Sequence, residues 1–323
     1  MTDFTQIPFN KIIKFGQKTM LDEDLFSISW ILGRFCNYSC SYCWPYAHSS
    51  QIDHQSIEVY LRTIDSIKEQ ANSNGFTNFH WSFSGGEPTA CKDLLQIVSK
   101  VSSDSIHMTT NLSPGFDWWD RFLTCTATAR RRSITASFHH EFASEDEFQN
   151  KILHLLKNNV FVTVNQVMIP EKFYELYDLC SRLHENGINV TLKPQSDPTA
   201  NHVVTGYTGH MMYKMRTGFP QKHNSQELMQ ITLIDQDSKQ WQLDQAERFN
   251  SFGFNKFYGW VCNAGYQGIV IRGNEVKRSY SCKDMILGTL TDGFTIFDKP
   301  TKCTTDTCVS SADSKLPKIK YEH

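Results

Sequence analysis

Three cysteines lie close together in the segment Phe35-Cys36-Asn37-Tyr38-Ser39-Cys40-Ser41-Tyr42-Cys43-Trp44-Pro45, a C-x3-C-x2-C spacing. Thiolates this near one another repel unless a metal centre neutralises them. On a 4Fe–4S cube, three protein ligands leave one iron open to a reactant, so the loop points to chemistry more than to structure. Two other readings stay open at this point. A disulfide needs an oxidising compartment, yet Met1-Thr2-Asp3-Phe4-Thr5-Gln6 lacks the basic region, apolar run and cleavage site of a secretory signal. Zinc normally takes two cysteine pairs or added histidines, and His48 falls outside the usual spacing.

The elements that must carry this loop follow from the hydrophobic pattern. Leu25 to Leu32 reads as a buried strand that delivers the loop at its C-terminal end. Ile57, Tyr60, Leu61, Ile64 and Ile67 then recur at helical spacing. Phe79 to Phe83 is a second strand, followed at once by Ser84-Gly85-Gly86-Glu87-Pro88-Thr89. Ile106 to Thr110, Ser133 to Phe138, Phe161 to Ile169 and Val190 to Leu192 continue the series. Ser144 and Glu147 suit a capping box for the helix of Phe148, Ile152 and Leu155. A helix with Phe173, Leu176, Cys180 and Leu183 on its apolar face ends at Gly187. Six β/α units predict an α/β fold, a partial (β/α)6 TIM-like barrel with functional loops at the C-terminal strand ends, followed by a small cysteine-rich β-hairpin domain.

The expected divisions are an N-terminal extension over 1–24, the partial barrel over 25–195, a bridging region over 196–255, the cysteine-rich domain over 256–310 and a polar, frayed tail over 311–323. Thr232 to Leu243 reads as a hairpin turning at Asp235-Gln236-Asp237-Ser238. The 32 basic and 34 acidic residues give a net charge of −2, so no nucleic-acid-binding field is expected. Arg130-Arg131-Arg132 reads as a solvated turn before a strand. No apolar run is long enough to cross a bilayer, and the expected location is the cytoplasm. Ten cysteines in a reducing compartment point to metal rather than disulfides.

The cysteine spacing, with the aromatic Tyr42 before its third cysteine, resembles the signature of the radical S-adenosylmethionine (radical SAM) superfamily, and Gly85-Gly86-Glu87-Pro88 one β/α unit later strengthens the resemblance. It implies that Cys36, Cys40 and Cys43 hold a 4Fe–4S cluster whose open iron chelates S-adenosylmethionine, with the Gly85–Pro88 turn gripping the amino group. Glycines let backbone approach a ligand closely, and a carboxylate can hold an ammonium. By position, Ser137 or His139, Asn165 or Gln166, and Asn111 are the polar strand-end residues expected to meet the ribose and carboxylate, and Tyr42 lies near the adenine. Each of these strand-end residues also reads as an ordinary cap or turn residue.

Cys262, Cys282, Cys303 and Cys308 form a second set. Gly268 to Ile271 and Val276 to Cys282 read as a hairpin joined around Arg272-Gly273-Asn274, which resembles the Twitch domain, the shortened SPASM domain of many radical SAM enzymes. The resemblance implies a second 4Fe–4S cluster, with zinc as the alternative. Two departures stand: the full SPASM pattern carries seven cysteines, and the spacing from Gly273 to Cys282 is longer than usual. Of the remaining cysteines, Cys180 reads as a buried small hydrophobe, Cys125 carries no stronger signal, and Cys91 beyond the turn would be a hydrogen donor if the enzyme were an epimerase. Trp118-Trp119 reads as core packing ahead of a loop over the barrel mouth.

The implied reaction is reductive cleavage of S-adenosylmethionine to a 5′-deoxyadenosyl radical that removes a substrate hydrogen atom, with an electron donor such as flavodoxin or ferredoxin. A fully ligated second cluster favours dehydrogenation, oxidative bond formation or epimerisation over simple isomerisation. Enzymes of this layout modify peptides or small molecules, and the expectation is oxidative modification or epimerisation of a peptide, slightly ahead of dehydrogenation or rearrangement of a small molecule such as an aminosugar or nucleoside. The segment before the first strand is too short for a separate peptide-recognition domain, although a leader can pair with a sheet edge. The rival class is a non-catalytic iron–sulfur or zinc protein that binds a partner through its C-terminal hairpin.

Overall fold

The computed structural model describes residues 7–22, 24–44, 47–199, 202–220, 222, 230–243, 253–282 and 285–320. In chain order its strands begin with β1 (Ile12–Gln17), β2 (Leu25–Ile31), β3 (Asn78–Ser84), β4 (Ser105–Thr110), β5 (Arg131–Ser137), β6 (Phe161–Met168), β7 (Asn189–Pro194), β8 (Ile231–Asp235) and β9 (Gln240–Leu243). They continue with β10 (Val261–Cys262), β11 (Gly268–Arg272), β12 (Glu275–Lys277), β13 (Ile286–Thr289), β14 (Gly293–Phe294), β15 (Thr301–Lys302) and β16 (Lys318–Ile319). The helices used below are α1 (Lys18–Asp22), α2 (Ile57–Ser73), α3 (Leu94–Lys100), α4 (Phe116–Cys125), α5 (Glu145–Lys157), α6 (Phe173–Glu185) and α7 (Gly209–Thr217).

The chain divides into two compact units, residues 1–30, 55–81 and 225–323 in one, 31–54 and 82–224 in the other. In the second unit β4, β5, β6 and β7 are parallel neighbours in sequence order, and the sheet ends open at β7. Six strands of the expected series form, and the partial barrel is an open α/β sheet rather than a closed one. Burial alternates along these strands: Ile134, Ala136, Val162 and Val164 are buried while Ser133, Thr135, Thr163 and Asn165 are half-buried. Parallel strands covered by helices on both faces are apolar throughout. Here one face packs the core and the other is polar.

Register aligns that polar face into rows. Thr109, Thr135 and Thr163 are successive partners across β4, β5 and β6, and Ser137, Asn165 and Thr191 across β5, β6 and β7. The helices form for ordinary reasons. Phe148, Ile152 and Leu155 make one buried face of α5, each side chain worth roughly 1.5–3 kcal/mol on burial. Glu145, Asp146 and Glu147 in its first turn complement the helix dipole. The expected capping box is absent: Ser144 makes no side-chain cap bond, and Glu147 instead pairs with Lys151 at 2.6 Å. At the end of α6, Gly187 has φ of 85°, and the N–H groups of Gly187 and Ile188 donate to His184 and Leu183 as the glycine cap predicts. Helix α4 was not legible in the sequence. Trp119 on it is fully buried and donates its indole N–H to Pro114, so it is core.

In the first unit a six-stranded sheet runs β15-β10-β16-β1-β8-β9. It contains the expected hairpin, β8 with β9, and four strands the sequence did not disclose, β1, β10, β15 and β16. Of these, β1 lies in the segment read as an extension. β16 lies in the segment read as a frayed tail: Lys318 is completely buried there, so residues 311–320 are built into the fold. The β11–β12 hairpin turns at Gly273 as expected, but β12 is only three residues long and the hairpin continues the sheet of β2. Ile269, Val270 and Ile271 are all buried, which explains why it does not stand as a separate small domain. The region read as a bridge includes α7, while 221, 223–229 and 244–252 lie outside the described residues, as do 1–6, Pro45 and 321–323.

Candidate functional site

The three-cysteine loop leaves β2 and is fastened from both sides. Its entry is held by a short return segment, with the Cys36 N–H donating to Ser49 and the Ser49 N–H to Arg34 at 3.2 and 2.7 Å. The Asp53 carboxylate accepts from the N–H groups of Arg34 and Phe35 at 2.8 and 3.0 Å. Such charge-assisted backbone bonds are about twice as strong as neutral ones. On the other side lies the Gly85-Gly86-Glu87-Pro88 turn. The Gly86 N–H donates to Gly33 at 3.0 Å and the Glu87 N–H to Phe35 at 2.8 Å.

The two glycines are required by this backbone contact. A Cβ on Gly85 would lie 2.4 Å from the Gly33 carbonyl oxygen, and one on Gly86 would lie 2.3 Å from those of both Arg34 and Phe35. The closely approached group is therefore the root of the cysteine loop itself. Glu87, 2% exposed, turns inward. Oε1 accepts from the Thr89 N–H (3.0 Å), the Thr89 hydroxyl (2.6 Å) and the Thr110 hydroxyl (2.7 Å), and Oε2 from the Asn111 N–H at 2.6 Å. Burial nevertheless pushes its carboxyl above the usual range, against the lowering effect of those donors. The carboxylate ties the turn to the end of β4, and an ammonium would have to share Oε2. Pro88 is buried and starts a single 3-10 turn.

At the end of β5 a third segment closes on the loop. His139 Nδ1 lies 3.3 Å from Cys40 Sγ and 3.0 Å from the Tyr42 hydroxyl. The Glu141 carboxylate accepts from the Ser41 N–H at 2.8 Å and from the Ser41 hydroxyl. Tyr42 stacks on both His139 and His140, with ring planes 19° and 11° apart. Burial holds the His139 imidazole down to about 4, so the ring is neutral at physiological pH. Burial pushes the Cys40 thiol up to about 12 and raises Cys36 and Cys43 as well. Metal-free, all three stay protonated at neutral pH; a cationic centre is what would draw them into the thiolate form.

Of the other sequence-expected residues, Asn111 is buried and its side chain donates to Asn37 at 3.0 Å, linking β4 to the cysteine loop. Ser137 and Asn165 are register partners on the polar face. Gln166, one residue on, alternates to the opposite face, where it is completely buried. Cys91 is 2% exposed and closes the turn after Pro88, its thiol packed in the core. An open polar cavity of about 520 Å³ is lined by Cys36, Asn37, Tyr38, Ser39, His48 and Ser49, so His48 reaches the loop's neighbourhood despite its spacing. Asp53, Thr89, Thr110 and Glu141 carried no sequence signal, because each acts on backbone or side chains brought together by the turn or the fold.

The second cysteine set is described within the first unit. Cys262, Cys282, Cys303 and Cys308 are free thiols, each less than 10% exposed. The Thr305 hydroxyl donates to Cys282 Sγ at 3.8 Å while Cys303 Sγ donates to the Thr305 carbonyl at 3.5 Å. Cys303 is within Coulombic reach of Cys262 and Cys282, and Cys308 of Cys262. Two fully buried cations accompany them. Lys318 Nζ donates to the carbonyls of Asp313, Leu316 and Ser314 at 2.8, 2.8 and 3.3 Å, and Arg278 donates to that of Ala264 at 2.9 Å. Among the described residues no three His, Cys, Asp or Glu side chains converge on one ion, and a four-iron cube, with one thiolate per iron, does not ask them to.

An open α/β sheet that presents three unpaired thiols in one loop at a strand end has the donor set for an iron–sulfur centre, and the comparison with known families gives the class. The model of the Radical SAM superfamily matches residues 30–193, and the chain belongs to that superfamily. Among solved structures, that of a histidine-tagged anSMEcpe with bound AdoMet is 14% identical, with a TM-score of 0.52 over 84% of this chain and 79% of that one. Another, of native anSMEcpe with bound AdoMet and a Cp18Cys peptide, is 13% identical, with a TM-score of 0.52 over 84% and 78%. At such identities the likeness establishes the fold. No curated protein matches the chain.

Proposed function

We propose that this protein is a radical SAM enzyme that removes a hydrogen atom from a peptide substrate for oxidative modification or epimerisation. The observation that carries the reading is the direct backbone union of the Cys36–Cys43 loop with the Gly85–Pro88 turn through Gly33 and Phe35. Cys36, Cys40 and Cys43 hold the 4Fe–4S cluster, His139 backs Cys40, and the turn, Asn111, Tyr42 and the Ser137–Asn165 row serve the S-adenosylmethionine side of the site. When bound, the cluster and S-adenosylmethionine supply an electron and a 5′-deoxyadenosyl radical.

The chain's own residues bind and orient. The hydroxyl and amide rows of β4 to β7 offer neutral donors and acceptors, which suit an amide backbone better than an apolar or strongly charged substrate. A similar fold solved with a bound peptide supports this choice. Cys262, Cys282, Cys303 and Cys308 hold a second 4Fe–4S cluster that carries electrons. Four thiolates on a cube leave a net negative charge, and buried Lys318 and Arg278 are the cations such a centre would neutralise. An external flavodoxin- or ferredoxin-like donor would feed the first cluster.

The test is anaerobic reconstitution followed by dithionite and S-adenosylmethionine. Formation of 5′-deoxyadenosine is expected, and its absence would overturn the enzyme reading. Iron of about eight per chain supports two cubes, while about four plus one zinc would replace the second cluster by zinc. A mass change in a small peptide encoded beside the gene would identify the substrate class; turnover of a nucleoside or aminosugar instead would overturn the peptide reading.

A further inference from the structure

The three thiols of the loop are not equivalent. Cys36 Sγ accepts the Tyr38 N–H at 3.4 Å, and Cys43 has the Trp44 N–H beside it. Cys40 alone meets a side-chain partner: His139 Nδ1 lies at 3.3 Å, and the Tyr42 hydroxyl lies 3.0 Å from the same Nδ1. Both rings are immobilised. Tyr42 is stacked on His139 and His140, and His139 also packs edge-on against Tyr38. The Glu141 carboxylate pins the intervening Ser41.

We propose that His139, held by Tyr42, donates a hydrogen bond to the Cys40 thiolate that raises the reduction potential of the cluster, His139 acting as a positioning residue rather than as a contact to S-adenosylmethionine. The inference rests on Cys40 being a cluster ligand. Bound to iron, the sulfur carries no proton, and an unprotonated Nδ1 at 3.3 Å would set one lone pair against another. That assigns the Nδ1–H tautomer, whose proton faces the Cys40 sulfur and the Tyr42 oxygen. Hydrogen bonds to cluster sulfurs withdraw negative charge from the centre and stabilise the reduced, more negative state. The same pair gives Cys40 a fixed geometry, since His139 comes from the end of β5 and not from the loop's own backbone.

The experiment is an EPR-monitored redox titration of the reconstituted full chain without S-adenosylmethionine. His139→Phe is expected to keep its iron and to lower the midpoint. A tenfold loss of reduced cluster at fixed poise corresponds to about 59 mV for one electron. His139→Gln, which keeps a donor, is expected to recover part of the shift. Ser41→Ala, which loosens the same loop without removing a donor to sulfur, is expected to leave the midpoint in place. A midpoint in His139→Phe equal to the wild type would overturn the proposal, and if His139→Phe fails to hold iron the midpoint of the smaller His139→Leu decides it in the same way. Undiminished iron in Cys40→Ala would instead overturn the ligand reading beneath it.

Discussion

Cys262 and Lys318 are cross-strand partners in the antiparallel pairing of β10 with β16, so their side chains leave the same face of the sheet. Lys318 is completely buried, held by carbonyl dipoles and lying 4.6 Å from the Phe257 ring. The Asp313 carboxyl near it is raised by its own burial and is engaged by Ser281. On the proposal that Cys262, Cys282, Cys303 and Cys308 hold a cluster, Lys318 would be one half of an ion pair with it. Lys318→Met is therefore expected to cost the metal-loaded protein about 3–5 kcal/mol, the range for removing one partner of a buried pair. The metal-free protein should lose less, about 1–3 kcal/mol, the cost of leaving the Asp313, Ser314 and Leu316 carbonyls without their donor. Thermal melts of both forms check this, and equal losses would sink the pairing.

Gly86 has no room for a side chain. Its Cβ would meet two backbone carbonyl oxygens at 2.3 Å, and backbone cannot move aside as a flexible side chain can. Gly86→Ala should cost about 3 kcal/mol or more and separate the turn from the cysteine loop. Iron retention and a thermal melt are the readouts. A melt unchanged from wild type would show that the loop and turn are not joined as described.

Asp53 holds the entry to the loop through two backbone N–H groups. Asp53→Ala is expected to cost about 1–3 kcal/mol, because hydrogen bonds to a charged group are lost, and to speed iron loss to a chelator. Asp53→Asn keeps an acceptor and should fall between. The comparison is made by the rate of chelator-driven bleaching.

The buried Glu87 carboxyl gives a pH dependence of definite sign. Burial raises its folded-state value above the unfolded one, so the stability it contributes is complete below about 4.5 and is lost as pH rises through the folded value. Glu87→Gln removes that slope. It also leaves the Asn111 N–H facing an amide nitrogen, with an expected cost of about 1–3 kcal/mol. Urea unfolding of the metal-free protein across acid to neutral pH measures both. A variant with the wild-type slope would refute the assignment.

Much of the site was legible because its signals are local. The Cys36–Cys43 spacing, the Gly85–Pro88 turn and the alternating strands β4 to β6 each express a short-range rule: ligand spacing, turn chemistry, or the two-residue period of a strand. Each of these lies within a few residues of chain. The partners lay beyond that range. His139 reaches Cys40 and Glu141 reaches Ser41 across about a hundred residues, and the clasp of Asp53 on Arg34 spans nineteen. The role of the tail is hidden for the same reason. Lys318 looks solvated in a polar stretch, yet β16 sits between β10 and β1 and places it in the core. Local chemistry along the chain settles which residue types could bind a metal and which strand ends would present them. The assembled fold settles that the glycines serve the loop's own backbone, that Glu87 faces inward, that Gln166 turns away from Asn165, and that Cys40 is the loop thiol beside His139. Those outcomes depend on which distant backbone or side chain fills the space beside each residue, and packing sets that only once the strands are in register.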